Sequence, residues 1–291
     1  MQSWTAIKNN ILDFTVSEFK DIVNSPLLAA IDAVNDIVAS YPPPYNLFVS
    51  GGIDSQAMLY AWHKSKHPFN AYVFRYNEDF NWHDIQTLPK FCEQEQIEYT
   101  IVDFDYIKFL NDEYDCIAKR YKCSSPQISM HIKMSSMFDG TNIFSGNFLF
   151  PNSALLSYAI LGIYRYSLTP EGKNTIPYFF LHTPELAYSL NCFTHDGDFI
   201  NELDREGYIR KANKYRLAGF PVIPQENKFT GFEKFKDYYD SHTHVLEDHA
   251  NRIKFFGKAS RRPFDWLFRY PYEALFGEPP LSFILNKPPY I

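Results

Sequence analysis

The sequence predicts an α/β protein: a parallel-sheet, Rossmann-like domain with helical extensions at both ends. Three observations carry that expectation. Between residues 45 and 168 the hydrophobic period switches repeatedly from that of a strand to that of a helix. A polar turn, Ser50-Gly51-Gly52-Ile53-Asp54-Ser55, separates the first apolar run from the helix after it. The links between segments are short, and repeated βα units with short links imply parallel strands covered on both faces.

Taken in order, Ser17 to Ser40 carries Phe19, Ile22, Val23, Leu27, Leu28, Ile31, Val34, Ile37 and Val38, which suits one or two amphipathic helices with Pro26 at a break or first turn. Pro42-Pro43-Pro44 closes this segment with a stiff extended link, so residues 1–44 are expected to be helical. Tyr45 to Val49 reads as a strand and Gln56 to Ser65 as a helix. Asn70 to Tyr76 is a second strand, Trp82 to Gln96 a helix, Glu98 to Phe104 a third strand, Ser129 to Phe138 a helix, Thr141 to Ser145 a fourth strand, and Leu155 to Tyr166 a helix. Residues 45–168 form the expected central domain. Residues 169–291 are expected as a mainly helical extension that completes the site, since their two aromatic-rich stretches would be hard to bury alone. Ligands of such sheets sit beyond the carboxyl ends of the strands, so Ser50, Asn77, Asp103 and Ser145 should share one rim.

The turn at 50–55 has the chemistry of an anion seat. Two adjacent glycines, Gly51 and Gly52, allow backbone conformations in which successive N–H groups converge, at a helix N-terminus whose dipole favours negative charge. Ser50 and Ser55 add hydroxyl donors. A carboxylate beside a polyphosphate repels it unless a divalent cation lies between them, so Asp54 implies Mg²⁺. The loop is not of the G-x-x-x-x-G-K-[ST] type, because no lysine lies between Val49 and His63, and G-x-G-x-x-G is absent from it.

The hexapeptide SGGIDS resembles the pyrophosphate-binding loop of the PP-loop superfamily, the adenine nucleotide alpha hydrolase-like fold. Its N-type ATP pyrophosphatases include asparagine synthetase, β-lactam synthetase, GMP synthetase and NAD synthetase. The resemblance implies ATP as substrate, cleaved between its α and β phosphates, with Mg²⁺ as cofactor held by Asp54, phosphates in the 50–55 loop and adenine against the main chain of the second strand near Phe74. A second segment, Asn142-Ile143-Phe144-Ser145-Gly146-Asn147, looks like the asparagine synthetase strand that ends in S-G, which adds Ser145 and Gly146 to the nucleotide contacts. The family carries acidic residues after that turn to help hold Mg²⁺. This sequence has the neutral run Asn147 to Asn152 there. A third segment, KYRLAGFPVIPQENKFTGF from Lys214 to Phe232, is similar to the region that presents the family's phosphate-contacting lysine. The matching position is Lys228, a cation suited to leaving-group charge.

Together these segments cover residues 45–235 and imply adenylation of a carboxylate or amide oxygen, followed by attack of a nitrogen nucleophile. At the N-terminus the resemblance stops, because glutamine-dependent relatives expose a cysteine as the first mature residue and this sequence begins Met1-Gln2-Ser3. The expected nitrogen source is free ammonia, a substrate amine, or ammonia from a separate subunit. Two alternatives share the fold: a PAPS-reductase-like or sulfurtransferase enzyme, which needs a working thiol, and an ATP-binding module without catalysis.

Composition narrows the partners. At 291 residues, 45% hydrophobic and 21% charged, the chain suits one large domain or two small ones. Its formal charge of −6 argues against nucleic acid as the main partner. The 27 Phe and 21 Tyr, spread along the chain, read as core and subunit-contact material, compatible with a homo-oligomer. Without an apolar run of membrane-span length or an export signal, a cytoplasmic protein acting on a small-molecule substrate, away from membranes, is expected. Cys92, Cys116, Cys123 and Cys192 form no C-x-x-C pair, so neither a disulfide framework nor a four-cysteine zinc site is expected. His242, His244, Asp248 and His249 could form a metal site, but Asp240 and Ser241 favour a polar helix start. Asp196-Gly197-Asp198 reads as a turn, Arg261 and Arg262 as solvated or ion-paired, and KPPYI as an extended tail.

Overall fold

Every residue of Tyr45–Val49 is buried, which places this strand inside a sheet covered on both faces. The computed structural model describes residues 5–8, 11–15, 25–121, 123, 126–146, 162–192, 205–225 and 283–286. Its strands are β1 (Thr5–Lys8), β2 (Ile11–Thr15), β3 (Tyr45–Val49), β4 (Asn70–Tyr76), β5 (Thr100–Phe104), β6 (Thr141–Phe144), β7 (Thr175–Ile176) and β8 (Phe283–Asn286). Its helices are α1 (Pro26–Ser40), α2 (Ile53–Ser65), α3 (Trp82–Ile85), α4 (Leu88–Glu95), α5 (Tyr106–Asp112), α6 (Tyr114–Tyr121), α7 (Pro126–Ser135), α8 (162–167), α9 (Pro184–Cys192) and α10 (Arg205–Leu217). None of these helices is long and apolar enough to cross a membrane.

The central sheet has five strands, all parallel, in the order β5-β4-β3-β6-β7. Counted from β3 this is 3-2-1-4-5: the chain runs outward to β5, then returns past β3 to lay down β6. The order therefore reverses between β3 and β6, and a crevice opens at their carboxyl ends. The Rossmann-like α/β expectation holds at this level.

Alternate residues of each strand feed two cores, as the period of a strand requires. Tyr45, Leu47 and Val49 of β3, Ala71 and Val73 of β4, and Ile143 of β6 face a layer made by α1, α2, α4, α9 and α10. Phe48, Phe74, Phe104 and Phe144 face the opposite layer of α5 to α8. The strand phenylalanines thus share one face, where Phe48 stacks on Phe144 at 4.8 Å. On the other face α1 begins with Ser25, whose Oγ accepts from the Leu28 N–H, and Pro26 at its first position. Its stripe Ala29, Ala30, Ala33, Val34 and Ile37 is buried, and the small alanines let α1 lie close on α2. Fully buried Trp62, Phe91 and Phe179 each contribute about 1.5–3 kcal/mol by leaving water.

Several expected boundaries differ. Pro26 stands in the first turn of α1 as expected and residues 16–24 lie outside the described residues, but Thr5–Lys8 and Ile11–Thr15 pair as an antiparallel hairpin with register Lys8↔Ile11, and β2 pairs in parallel with β8. Thr5 and Ile7, and Leu12 and Phe14, stand at alternate positions, a strand pattern too short to outweigh the helix after it. The helix expected over 82–96 is broken at Gln86-Thr87, ahead of Pro89 in the first turn of α4. The sheet also continues past residue 168, since β7 is its fifth strand and α9 and α10 pack on it.

Candidate functional site

At the carboxyl edge β3 turns through Ser50 to Gly52 directly into α2. Gly52 is the N-cap residue and provides no side-chain cap, so the helix presents uncapped N–H groups to the crevice. Three hydroxyls run across this point: Ser50 Oγ lies 3.2 Å from Ser55 Oγ, and Ser55 Oγ lies 3.3 Å from Ser145 Oγ, at the end of β6. Ser50, Asn77 and Ser145 directly follow their strands and Asp103 lies within the last turn of β5, all on this rim.

A cavity of about 360 Å³ opens from the hydroxyls. One side is walled by Ser50, Gly52, Asp54, Ser55, Ser145, Gly146 and Asp84, and the α7 side by Phe48, Phe74, Ile128, Met130, Met134 and Phe144 together with Gln127 and His131. Gly146 has φ +64, and a Cβ there would meet Tyr178 Cγ at 2.2 Å, so this turn is both left-handed and closely packed. Burial and the nearby Asp54 carboxylate push the Tyr178 phenol well above its ordinary range.

Of the residues expected to bind the nucleotide, Ser50, Gly52, Asp54, Ser55, Phe74, Ser145 and Gly146 all line this cavity. Gly51 does not. Its N–H donates to the Asp84 carbonyl at 2.7 Å, and its own carbonyl accepts from Gln56 Nε2 at 2.7 Å and Thr87 Oγ1 at 2.8 Å. Neither loop glycine has a positive φ. The expectation of glycine-specific backbone angles therefore fails: Gly51 is required by the close approach of α3 and α4, a contact between distant parts of the chain. Lys228, His242, His244 and His249 lie outside the described residues.

Asp54 has both oxygens occupied. Lys211 Nζ lies 2.8 Å from Oδ1 and 2.8 Å from Oδ2, and the Tyr215 hydroxyl donates to Oδ1 at 2.6 Å. The Lys211 side chain is 1% exposed, and a buried ammonium holds its charge only against such a partner. Among the described residues no three His, Cys, Asp or Glu gather to hold a metal. The donor set around Asp54 does not fit a resident Mg²⁺, because the cation its carboxylate needs is already supplied by the protein.

The main chain expected to receive adenine is also engaged. β3 ends opposite Val73, and beyond that point Asn81 serves the edge of β4: its Nδ2 donates to the Phe74 carbonyl at 2.7 Å, and its Oδ1 accepts from the Tyr76 N–H at 2.9 Å. On the far wall the His131 ring stacks on Phe144 at 4.7 Å. Its Nδ1 is buried with no hydrogen-bond partner among the described residues, and burial brings its pKa down from 6.5 to about 4.

Residues 221–225 dock beside the loop. Gln56 is fully buried and holds both main-chain groups of Ile223, accepting from its N–H at 2.7 Å and donating to its carbonyl at 2.9 Å. Gln225 Nε2 adds a bond to the Asp84 carbonyl at 2.9 Å. The sequence reading missed Asn81, His131, Lys211 and Tyr215. Lys211 and Tyr215 had a usable signal, since they stand four apart on the basic helix before the proline turn and so share one face. No protein-family model matches this sequence, and no curated protein matches it.

Proposed function

We propose that this chain is a PP-loop ATP-binding enzyme, an N-type ATP pyrophosphatase that activates a carboxylate or amide oxygen by adenylation. The observation that carries this reading is the line of hydroxyls Ser50, Ser55 and Ser145 across the switch point, at the uncapped N-terminus of α2, opening into a cavity whose α7 side is largely apolar. A nucleotide has the same polarity. Its polyphosphate suits the N–H groups and hydroxyls, and its purine suits the space among Phe74, Phe144 and Met134.

In this reading the substrate oxygen attacks the α-phosphorus, the bond to the bridging oxygen breaks, and pyrophosphate departs into the 50–55 loop. A nitrogen nucleophile (ammonia, a substrate amine, or ammonia from a separate subunit) then displaces AMP from the acyl or imidyl carbon. Preorganised donors aimed at the leaving group supply the electrostatic stabilisation, and no protein nucleophile is needed. Lys228 is the family's candidate for leaving-group charge and follows the docked segment by three positions in sequence. Mg²⁺ enters as the counter-ion of the nucleotide. The sulfur-transfer alternative gains nothing here: Cys92 and Cys123 are buried, burial pushes the Cys92 thiol up to about 11, and neither these nor the exposed Cys116 is among the described residues that line the cavity.

The occupied Asp54 carboxylate favours one second reading, a nucleotide-binding module without turnover. Incubation of α-labelled ATP and Mg²⁺ with a small-metabolite extract separates the two. Release of AMP and pyrophosphate by the native chain, lost in Asp54→Ala, supports adenylation; ATP binding without AMP supports the module.

A further inference from the structure

A carboxylate in the first turn of a helix is favoured by the dipole, yet it repels any polyphosphate brought to the same N–H groups. Asp54 lies in that first turn and lines the cavity, together with Asp84, and no lysine or arginine stands among the described lining residues. A site of this kind ordinarily needs a divalent ion between acid and phosphate. Here the compensating charge comes from behind the loop. Lys211 and Tyr215, one turn apart on α10, grip Asp54 from 157 and 161 positions away in sequence. The ammonium bridges the carboxylate at 2.8 Å from each oxygen, and the phenol donates to Oδ1 as well. Lys211 itself does not reach the cavity, so it acts through Asp54 as a positioning residue.

We propose that Lys211 does for Asp54 what a protein-bound divalent cation does elsewhere, making the 50–55 loop a charge-balanced seat that takes a polyphosphate with no metal ion between Asp54 and the ligand. This rests on the polyphosphate reading of the cavity and specifies how that seat is neutralised. With the pair intact, Asp54 and Lys211 sum to zero charge, Asp84 is the remaining acid of the described lining, and the 50–55 loop itself offers the ligand N–H groups and hydroxyls. Removing the ammonium leaves a carboxylate facing the phosphates, and a metal ion then becomes necessary.

Calorimetric titration of the full chain with inorganic tripolyphosphate and with ATP, in EDTA and again in excess Mg²⁺, tests this. The native chain is expected to bind both ligands with affinities within roughly threefold in the two buffers. Lys211→Met should lose about tenfold or more in EDTA and recover most of it in Mg²⁺. Asp54→Asn/Lys211→Met, with both charges gone, should again bind independently of metal, which separates lost neutralisation from lost folding. Native binding that appears only with Mg²⁺, or a Lys211→Met variant unchanged in EDTA, overturns the proposal. Failure of the native chain to bind in either buffer retires the polyphosphate reading itself.

Discussion

The side-chain amide of Asn81 meets the main chain of β4 as a neighbouring strand would, donating to the Phe74 carbonyl at 2.7 Å while accepting from the Tyr76 N–H at 2.9 Å. This donor and acceptor pair has the pattern of an adenine edge, whose amino group donates and whose adjacent ring nitrogen accepts. Asn81→Ala should leave two enclosed backbone groups unsatisfied, costing about 1–3 kcal/mol in the ligand-free protein. An adenine that takes over both bonds would return part of that cost. The expected outcome in a thermal-shift comparison is a lower Tm for Asn81→Ala and a larger ATP-induced rise than in the native chain. An equal or smaller rise places the base elsewhere in the cavity.

The two loop glycines should respond differently to the same change. A Cβ on Gly51 would stand 2.3 Å from the Asp84 carbonyl oxygen and 2.5 Å from Thr87 Oγ1, and neither is the end of a long side chain. Gly51→Ala should therefore displace α3 and α4 and cost more than about 3 kcal/mol in chemical denaturation. At Gly52 the nearest atom is Ser50 Oγ at 3.3 Å, and φ is an ordinary −67°. Gly52→Ala should change stability by less than about 1 kcal/mol while weakening ATP binding, because its new methyl projects where the ligand must approach.

Features set by local pattern were legible in the sequence, and features set by packing were not. The β3, turn and α2 unit could be read because the period changes from 2 to 3.6 across a polar turn, and its hydroxyls were found with it. β7 is two residues long, too short to display any period. The helices α5 and α6 were missed because each is two turns or so, too short to display a full helical period, although Asp105, whose side chain accepts from the Lys108 N–H, caps α5. The pairing of Lys211 with Asp54 spans 157 positions and exists only because α10 packs against α2. Gly51 shows the same limit: its residue type was noticed, but the reason for it lies in α3.

Gln56 ties the loop to the segment that follows α10. Its amide satisfies the N–H and carbonyl of Ile223 and the carbonyl of Gly51, at 2.7, 2.9 and 2.7 Å. Gln56→Leu keeps the buried volume but leaves both Ile223 groups without the amide and the Gly51 carbonyl with Thr87 Oγ1 alone, a loss of about 2–4 kcal/mol. Limited proteolysis should then cut first near residues 221–225, ahead of global unfolding. A variant cut no faster than the native chain there would mean that the segment is held without Gln56, by the bonds of Arg216 to Val222 and of Gln225 to Tyr208 and Asp84.

His131 should make the fold sensitive to mild acid. Its imidazole has an ordinary pKa of 6.5 when unfolded and about 4 when buried against Phe144, where desolvation penalises the charged form. Between those values the unfolded chain binds more protons than the folded one, so stability falls as pH decreases. The loss begins near pH 6.5, is complete near pH 4, and is on the order of 3 kcal/mol. His131→Phe preserves the ring stack and cannot take up the proton. The native chain minus this variant, compared by denaturation at pH 7.5, 6 and 5, isolates the histidine's own contribution. The difference should grow steadily towards pH 5 at the expense of the native chain; parallel curves would show that His131 is already hydrogen-bonded and charged in the folded protein.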